Sequence, residues 1–359
     1  MNTTNTLIAY VGCYTSEAMK GKGEGLAVYR VDSVSGDWSR IQCIQEVVDP
    51  SFLVLDRAGR FLYCVEESIE RVSAFAIEPE SGRLTLLNRQ PSGGSTPAAL
   101  VLDPQDRFLI TANYMGGPLA VMAVEADGRL DEACQLLEVE GKCGPDPVEQ
   151  TCSHPHDVRF DPSGKYLLVP DKGFDRVFVY RRETESGLFT PNQPAFAEEK
   201  PGAGPRHIAF HPNDHYCYLI NELNSTVSVF KFDPQHGTME ALQVISTLPP
   251  GFSGNNTCAE ITVAPSGKFV YGSNRGHDSI VVYAVDESSG TLSIVDWTAS
   301  GGKTPRFFTL NPDGNLLVVA HQDSDNIVTF QVDQASGKLT PTGQDITTGS
   351  PVCIGWKAL

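Results

Sequence analysis

Basic side chains are scarce in this sequence: 27 Lys and Arg stand against 44 Asp and Glu, a net charge of −17 over 359 residues. Nucleic acid and anionic lipid both need a positively charged face, so neither is expected as a partner. Long apolar runs are missing too, with nothing near the roughly 18 residues of a membrane span. The opening MNTTNTLIAYVGCYT has neither the basic region nor the apolar core of a secretory signal, and cytoplasmic residence is the expectation. The nine cysteines (13, 43, 64, 134, 143, 152, 217, 258 and 353) form no CxxC pair and no zinc spacing with histidine. Most fall in strand-like segments, where free cysteine behaves as a small buried apolar residue. Cys143 and Cys152 bracket a loop, but a reducing cytosol argues against a bridge. The P-loop, the GxSxG elbow and a GxGxxG before a helix are absent; GKGEG (21–25) has the glycines without a helix after it.

What is present is a repeat. A turn of the form acidic-x-x-x-Ser-Gly recurs with its glycine at 36, 82, 128, 187, 237, 290 and 337, as in VDSVSGDW, IEPESGRL and VDQASGKL. Glycine there suits a hairpin position of positive φ. A second turn recurs as DRAGRFLY, DPQDRFLI, DPSGKYLL, HPNDHYCY, APSGKFVY and NPDGNLLV, with turn-forming Pro, Asp, Ser and Gly between two β runs. A third mark opens each unit at Pro50, Pro97, Pro155, Pro205, Cys258, Pro305 and Pro351. Apolar periodicity near two and abundant β-branched residues exclude a helical solenoid of the same period. The fold class is all-β: a seven-bladed β-propeller of four antiparallel strands per blade, one domain over 1–359. The second turn occurs six times against seven for the first, because the last unit starts at Pro351 and runs out at Leu359. Its other strands must come from the N-terminus, closing the ring and leaving no open edge.

With strands A to D labelled from the centre outward, the Ser-Gly turn joins C to D and the second turn joins A to B. One residue after the opening position stand Ser51, Ala98, His156, Arg206, Ala259, Arg306 and Val352. Seventeen residues after it stand Glu67, Tyr114, Lys172, Glu222, Arg275 and Gln322, with the seventh blade contributing a residue near Tyr14. A scaffold position between blades is apolar in every copy; these carry ionisable groups, converging on one rim of the central channel. The two longest connections, containing EGKCGPDPVEQTCS and PPGFSGNNT, fall on the same face, where added loop builds a site.

At these residues the chain resembles the lactonase family of seven-bladed propellers, which includes propeller-type 6-phosphogluconolactonases and carboxy-cis,cis-muconate cyclases. The carrying motifs are AGPRHIAFHP (203–212), INELNSTVSVF (220–230), SNRGHDSIVVY (273–283), SHPHDVRFDPSGKYLLVPD (153–171) and, more weakly, YVGCYT and ANYMGG. The resemblance implies a metal-free site on histidine, arginine and glutamate, carried onto His156, Arg206, Glu222 and Arg275. ANYMGGPLAV departs from the family pattern at Met115 and Pro118.

Lactone opening needs an activated water, a stabilised oxyanion and a proton for the leaving alkoxide. Glu222 or His156 is expected as base and the other as proton donor, with Arg206 and Arg275 on the oxyanion or a substrate anion. His154, Lys172, Arg306, Tyr114, Glu67 and His321 are candidate substrate contacts. No cofactor and no metal are expected, although Glu67, Glu222 and Asp171 leave an opening for a cation such as calcium. His207, His211 and His215 read as structural or exposed, and His277 with Asp278 as a blade-fixing pair. The expected partner is a small anionic lactone or sugar acid, the expected state a monomer or weak homo-oligomer. A lactone-forming cycloisomerase would use the same groups, and a non-catalytic propeller scaffold is the third reading; assays with both substrate classes separate them.

Overall fold

A computed structural model describes residues 6–32 and 36–359. Residues 1–5, within the segment read for a signal, and 33–35, within the VDSVSGDW turn, lie outside the described residues. Seven four-stranded antiparallel sheets form the ring. Blades 1 to 6 span Leu53–Pro91, Pro97–Leu137, Arg159–Glu198, Pro205–Ser246, Thr257–Ala299 and Pro305–Thr347. The seventh joins Pro351–Ala358 as inner strand to Thr6–Cys13, Leu26–Asp32 and Trp38–Ile44. Its closing ladder runs antiparallel from Leu7 opposite Ala358 to Cys13 opposite Pro351, as the count of turns required. The 3-10 turn Glu67–Ile69 is the one helical element among the described residues.

The core lies between blades. Tyr63 and Val65 of blade 1 pack with Leu100, Leu109 and Met122 of blade 2, and Tyr218 and Ile220 of blade 4 pack with Val270 and Tyr283 of blade 5. Both faces of strands B and C are therefore covered, which is why Phe108–Asn113 and Tyr216–Asn221 are buried almost residue for residue instead of alternating. The Ser-Gly turns have a second role. The Tyr10, Tyr63, Tyr218 and Tyr271 hydroxyls donate to the carbonyls of Gly82, Gly128, Gly290 and Gly337 at 3.0–3.1 Å, each in the next blade. Glycine is required at these turns by φ and also by space: a Cβ on Gly128 would lie 2.2 Å from the Phe61 ring.

One irregularity places the site. Strand A pairs with strand B out of step at its start, between Pro97 and Ala99, Pro205 and His207, Cys258 and Ile261, and Pro305 and Phe307. A bulge leaves its extra residue outside the ladder and re-aims the side chain. Ala98, Arg206, Ala259 and Arg306 are these residues, which is the physical reason their position escapes the scaffold pattern.

Candidate active site

Strand B ends and strand A bulges deliver a charged cluster around Glu222. Its Oε2 accepts from Arg206 Nε at 2.9 Å and pairs with Arg275 Nη2 at 3.1 Å, its Oε1 accepts from Lys172 Nζ at 3.2 Å, and His156 Nε2 stands 4.0 Å from Oε2. Burial alone would push the Glu222 carboxyl up; Arg275, Lys172 and Arg206 overcome that and hold it well below the usual carboxylate range. His156 is driven the other way from a charged imidazole. Burial first, then Arg206 and His207, keep it far below the ordinary histidine value, so it is neutral at pH 7. Its Nδ1 is buried without a hydrogen-bond partner.

The cations are unequal. Lys172 is nearly enclosed, with Nζ 2.6 Å from Glu149 and 5.4 Å from the centre of the Tyr114 ring. Burial pulls its pKa down, but Glu222 and Tyr114 outweigh it and the ammonium is held charged. Glu149 belongs to the long connection between blades 2 and 3, which is fixed by Gln150 Nε2 on the Lys172 carbonyl at 2.8 Å. Burial and Arg275 bring Arg206 down to about 10, still charged at neutral pH. Arg306 lies 5.2 Å from the centre of the Tyr14 ring and makes no hydrogen bond or ion pair within the described residues. Tyr14 in turn donates to Glu67 Oε2 at 3.0 Å. Tyr114 forms an aromatic wall, stacked on His154 at 4.4 Å and edge-on to His156 at 5.3 Å. His154 is pinned by Nδ1 to the Tyr114 carbonyl, 2.9 Å away.

The structure thus gathers His156, Arg206, Glu222, Arg275, Lys172, Tyr114 and His154 in one cluster, with Tyr14, Glu67 and Arg306 as a second group. His321 is not brought to the rim. It sits sixteen residues after Pro305, one short of the rim position, and successive strand residues point to opposite faces. The same position holds Glu66, Asn113, Asp171, Asn221 and Asn274, all fully buried; Asn274 ties the preceding loop to the blade through Thr247 and Ser279, and Asn221 bonds Thr226 and Ser228 of its own blade. The His321 ring is enclosed against Gly302, and the Asn326 and Ser300 backbones approach it without closing a good hydrogen bond. Asp171 is likewise committed, accepting from Ser153 Oγ, His154 N and Phe174 N at 2.5–3.0 Å. No group of three or more metal-ligating side chains converges among the described residues.

One further reading changes. His277 bonds through Nδ1 to Ser279 Oγ at 2.7 Å, while Asp278 accepts from Gly276 N and Thr304 N. The two form no pair with each other because each serves its own loop. His211 is structural, on the Gly267 carbonyl at 2.9 Å, and His215 is exposed. His207 is buried as well, and in a contact the sequence did not disclose: it stands 3.1 Å from Arg206 Nη1 and 3.1 Å from Glu260. Its place after Arg206 inside a strand hid it, since only the bulge turns two consecutive side chains inward. Glu149 was hidden because its connection has no counterpart in other repeats.

A family model described as Lactonase, 7-bladed beta-propeller, matches residues 8–356. The chain is 35% identical over 301 residues to 6-phosphogluconolactonase of Bacillus subtilis, covering 82% of each chain. It is 32% identical over 293 residues to 6-phosphogluconolactonase of Formosa agariphila, 80% of this chain and 81% of that one. Among solved structures it superposes on a periplasmic gluconolactonase of Pseudomonas aeruginosa with a TM-score of 0.91 and 32% identity, over 98% and 99% of the two chains.

Proposed function

The chain belongs to the lactonase family of seven-bladed β-propellers, and from that premise we propose that it hydrolyses a sugar-acid lactone, 6-phosphogluconolactone first among them. The observation that carries the reading is a buried imidazole, His156, 4.0 Å from a carboxylate that is ion-paired to three cations, surroundings that favour the neutral ring. Glu222 is held ionised, so at neutral pH it has no proton to give, and its ion pairs drain its basicity. Its role is to align Arg206 and Arg275. His156 is then the proton carrier: it takes a proton from water as the water oxygen bonds to the lactone carbonyl carbon. The carbonyl oxygen, gaining negative charge, is met by the arginines. Collapse breaks the ring C–O bond, and the imidazolium returns its proton to the departing oxygen, giving an open hydroxy acid.

Arg306, which lies over the Tyr14 ring and makes no hydrogen bond or ion pair among the described residues, suits the substrate's anionic tail, and Tyr114 with His154 forms a wall for the sugar ring. Nine free cysteines, among them Cys143 and Cys152, favour a reducing, cytoplasmic setting. The test is hydrolysis of 6-phosphogluconolactone above its spontaneous rate, with and without chelator. His156→Asn is expected to lower kcat by about a hundredfold or more. Turnover of a carboxymuconate in place of any lactone, or a His156→Asn enzyme with parental kcat, would overturn the assignment.

A further inference from the structure

Arg206 has five N–H donors, and three are spent inside the protein. Nε donates to Glu222 Oε2 at 2.9 Å, and Nη1 donates both to the Ala259 carbonyl at 2.6 Å and to His207 Nε2 at 3.1 Å. Only Nη2 is left for a ligand. For His207 Nε2 to accept, the ring proton must sit on Nδ1, and Glu260 Oε2 stands 3.1 Å from that nitrogen to receive it. Glu260 is itself fixed: Ile261 N donates to its Oε1 at 3.0 Å, and its own backbone N–H donates to Ser273 Oγ at 3.0 Å. Two adjacent bulges make this possible, one at Pro205/His207 and one at Cys258/Ile261. They set Arg206 and His207 of one blade against Ala259 and Glu260 of the next. Both members of the pair are buried, and the His207 ring packs edge-on against His156 at 5.2 Å and Phe52 at 6.2 Å.

We infer that His207 and Glu260 are a positioning pair for the lactonase reaction: Glu260 fixes the His207 tautomer, and His207 locks the Arg206 guanidinium with Nη2 turned to the substrate. A guanidinium held in place before reaction stabilises developing charge without reorganising. The pair therefore acts on the chemical step more than on substrate binding. Arg206 without His207 keeps its charge but loses one of the bonds that define its plane.

The inference rests on the proposed lactonase activity, and its test separates the two. His207→Leu is expected to lower kcat about tenfold or more with KM little changed, and to lower Tm as well, because Glu260 is left buried without its donor. His207→Gln, whose carbonyl can accept from Arg206 Nη1, is expected to recover most of the loss. A purely structural histidine predicts the fall in Tm with kcat unchanged, and therefore no lost kcat for Gln to recover. Parental kcat in His207→Leu, or a Gln variant no better than Leu, overturns the inference. Should His207→Leu fail to fold, Glu260→Gln carries the test, because one amide cannot accept from both Ile261 N and His207 Nδ1 as the carboxylate does. A drop in its kcat at unchanged Tm supports the pair, and parental kcat rejects it. If the parent opens no lactone, the function fails by itself, and crystal structures decide the pair. Arg206 leaving the Ala259 carbonyl in His207→Leu sustains it, and an unmoved Arg206 ends it.

Discussion

Glu222 and His156 are both buried and lie 4.0 Å apart, yet their environments fix opposite charge states. Three cations, Arg275, Lys172 and Arg206, outweigh the desolvation of the carboxylate, while Arg206 and Lys172, joined by His207 and Arg306, add to the desolvation of the imidazole. If neutral His156 is the base, kcat/KM stays flat from pH 8 down through the ordinary histidine range, with its acid limb displaced below it. A limb at or above pH 6.5 in a pH–rate profile would mean that His156 is charged at rest. His321 obeys the same rule without a catalytic part. Burial lowers its pKa from 6.5 to about 4, so below pH 6.5 the unfolded chain binds a proton that the folded chain refuses. Stability is complete above pH 6.5 and falls as pH drops toward 4, by roughly 3 kcal/mol in all. His321→Leu should flatten the dependence of Tm on pH across that window while leaving kcat at neutral pH unchanged.

At the level of elements, a turn and a connection depend on each other. Gly173 follows Lys172, and a Cβ there would stand 1.7 Å from the Cys152 carbonyl oxygen. Nothing on the backbone side can give way, because Lys172 N donates to the His154 carbonyl and Gly144 N donates to Gly173 O, 3.0 and 2.9 Å. Gly173→Ala must push the connection outward, taking Glu149 and His154 with it. The expected result is a fall in kcat/KM of about tenfold or more, with a lower Tm. Steady-state kinetics and a melting curve check it, and an alanine variant indistinguishable from the parent would show that the connection does not shape the site. The strand A bulges have the converse logic. They give up ladder bonds at the start of the bulged inner strands and in return aim Arg206 and Arg306 at the channel.

The whole ring is closed by one short ladder between the ends of the chain. Every blade packs against two neighbours, so opening one interface exposes both of its faces. Removal of residues 351–359 deletes the inner strand of the seventh blade, with the buried Val352, Cys353 and Ile354, and uncovers the edge of Thr6–Cys13. The truncated chain is expected to lose cooperative unfolding or to aggregate through the bared edge, measured by calorimetry and light scattering. A truncated chain with parental Tm would show that the ladder is dispensable. No helix among the described residues is long and apolar enough to cross a membrane.

The repeat by itself determined seven blades, their shared seventh member and the two rows of positions that carry His156, Arg206, Arg306, Glu67, Tyr114, Lys172, Glu222 and Arg275. Turn glycines and opening prolines recur along the chain, and a recurring distance is a one-dimensional signal that needs no partner. Only the tertiary structure decided which neighbours those rows meet. The difference between His321 and Gln322 is one residue of strand phase, and the bulge that turns His207 inward shows only in the pairing of strand A with strand B. Glu149 reaches Lys172 through a connection that no other blade shares. These contacts join residues across blades, where distance is set by packing around the ring axis and not by separation in sequence.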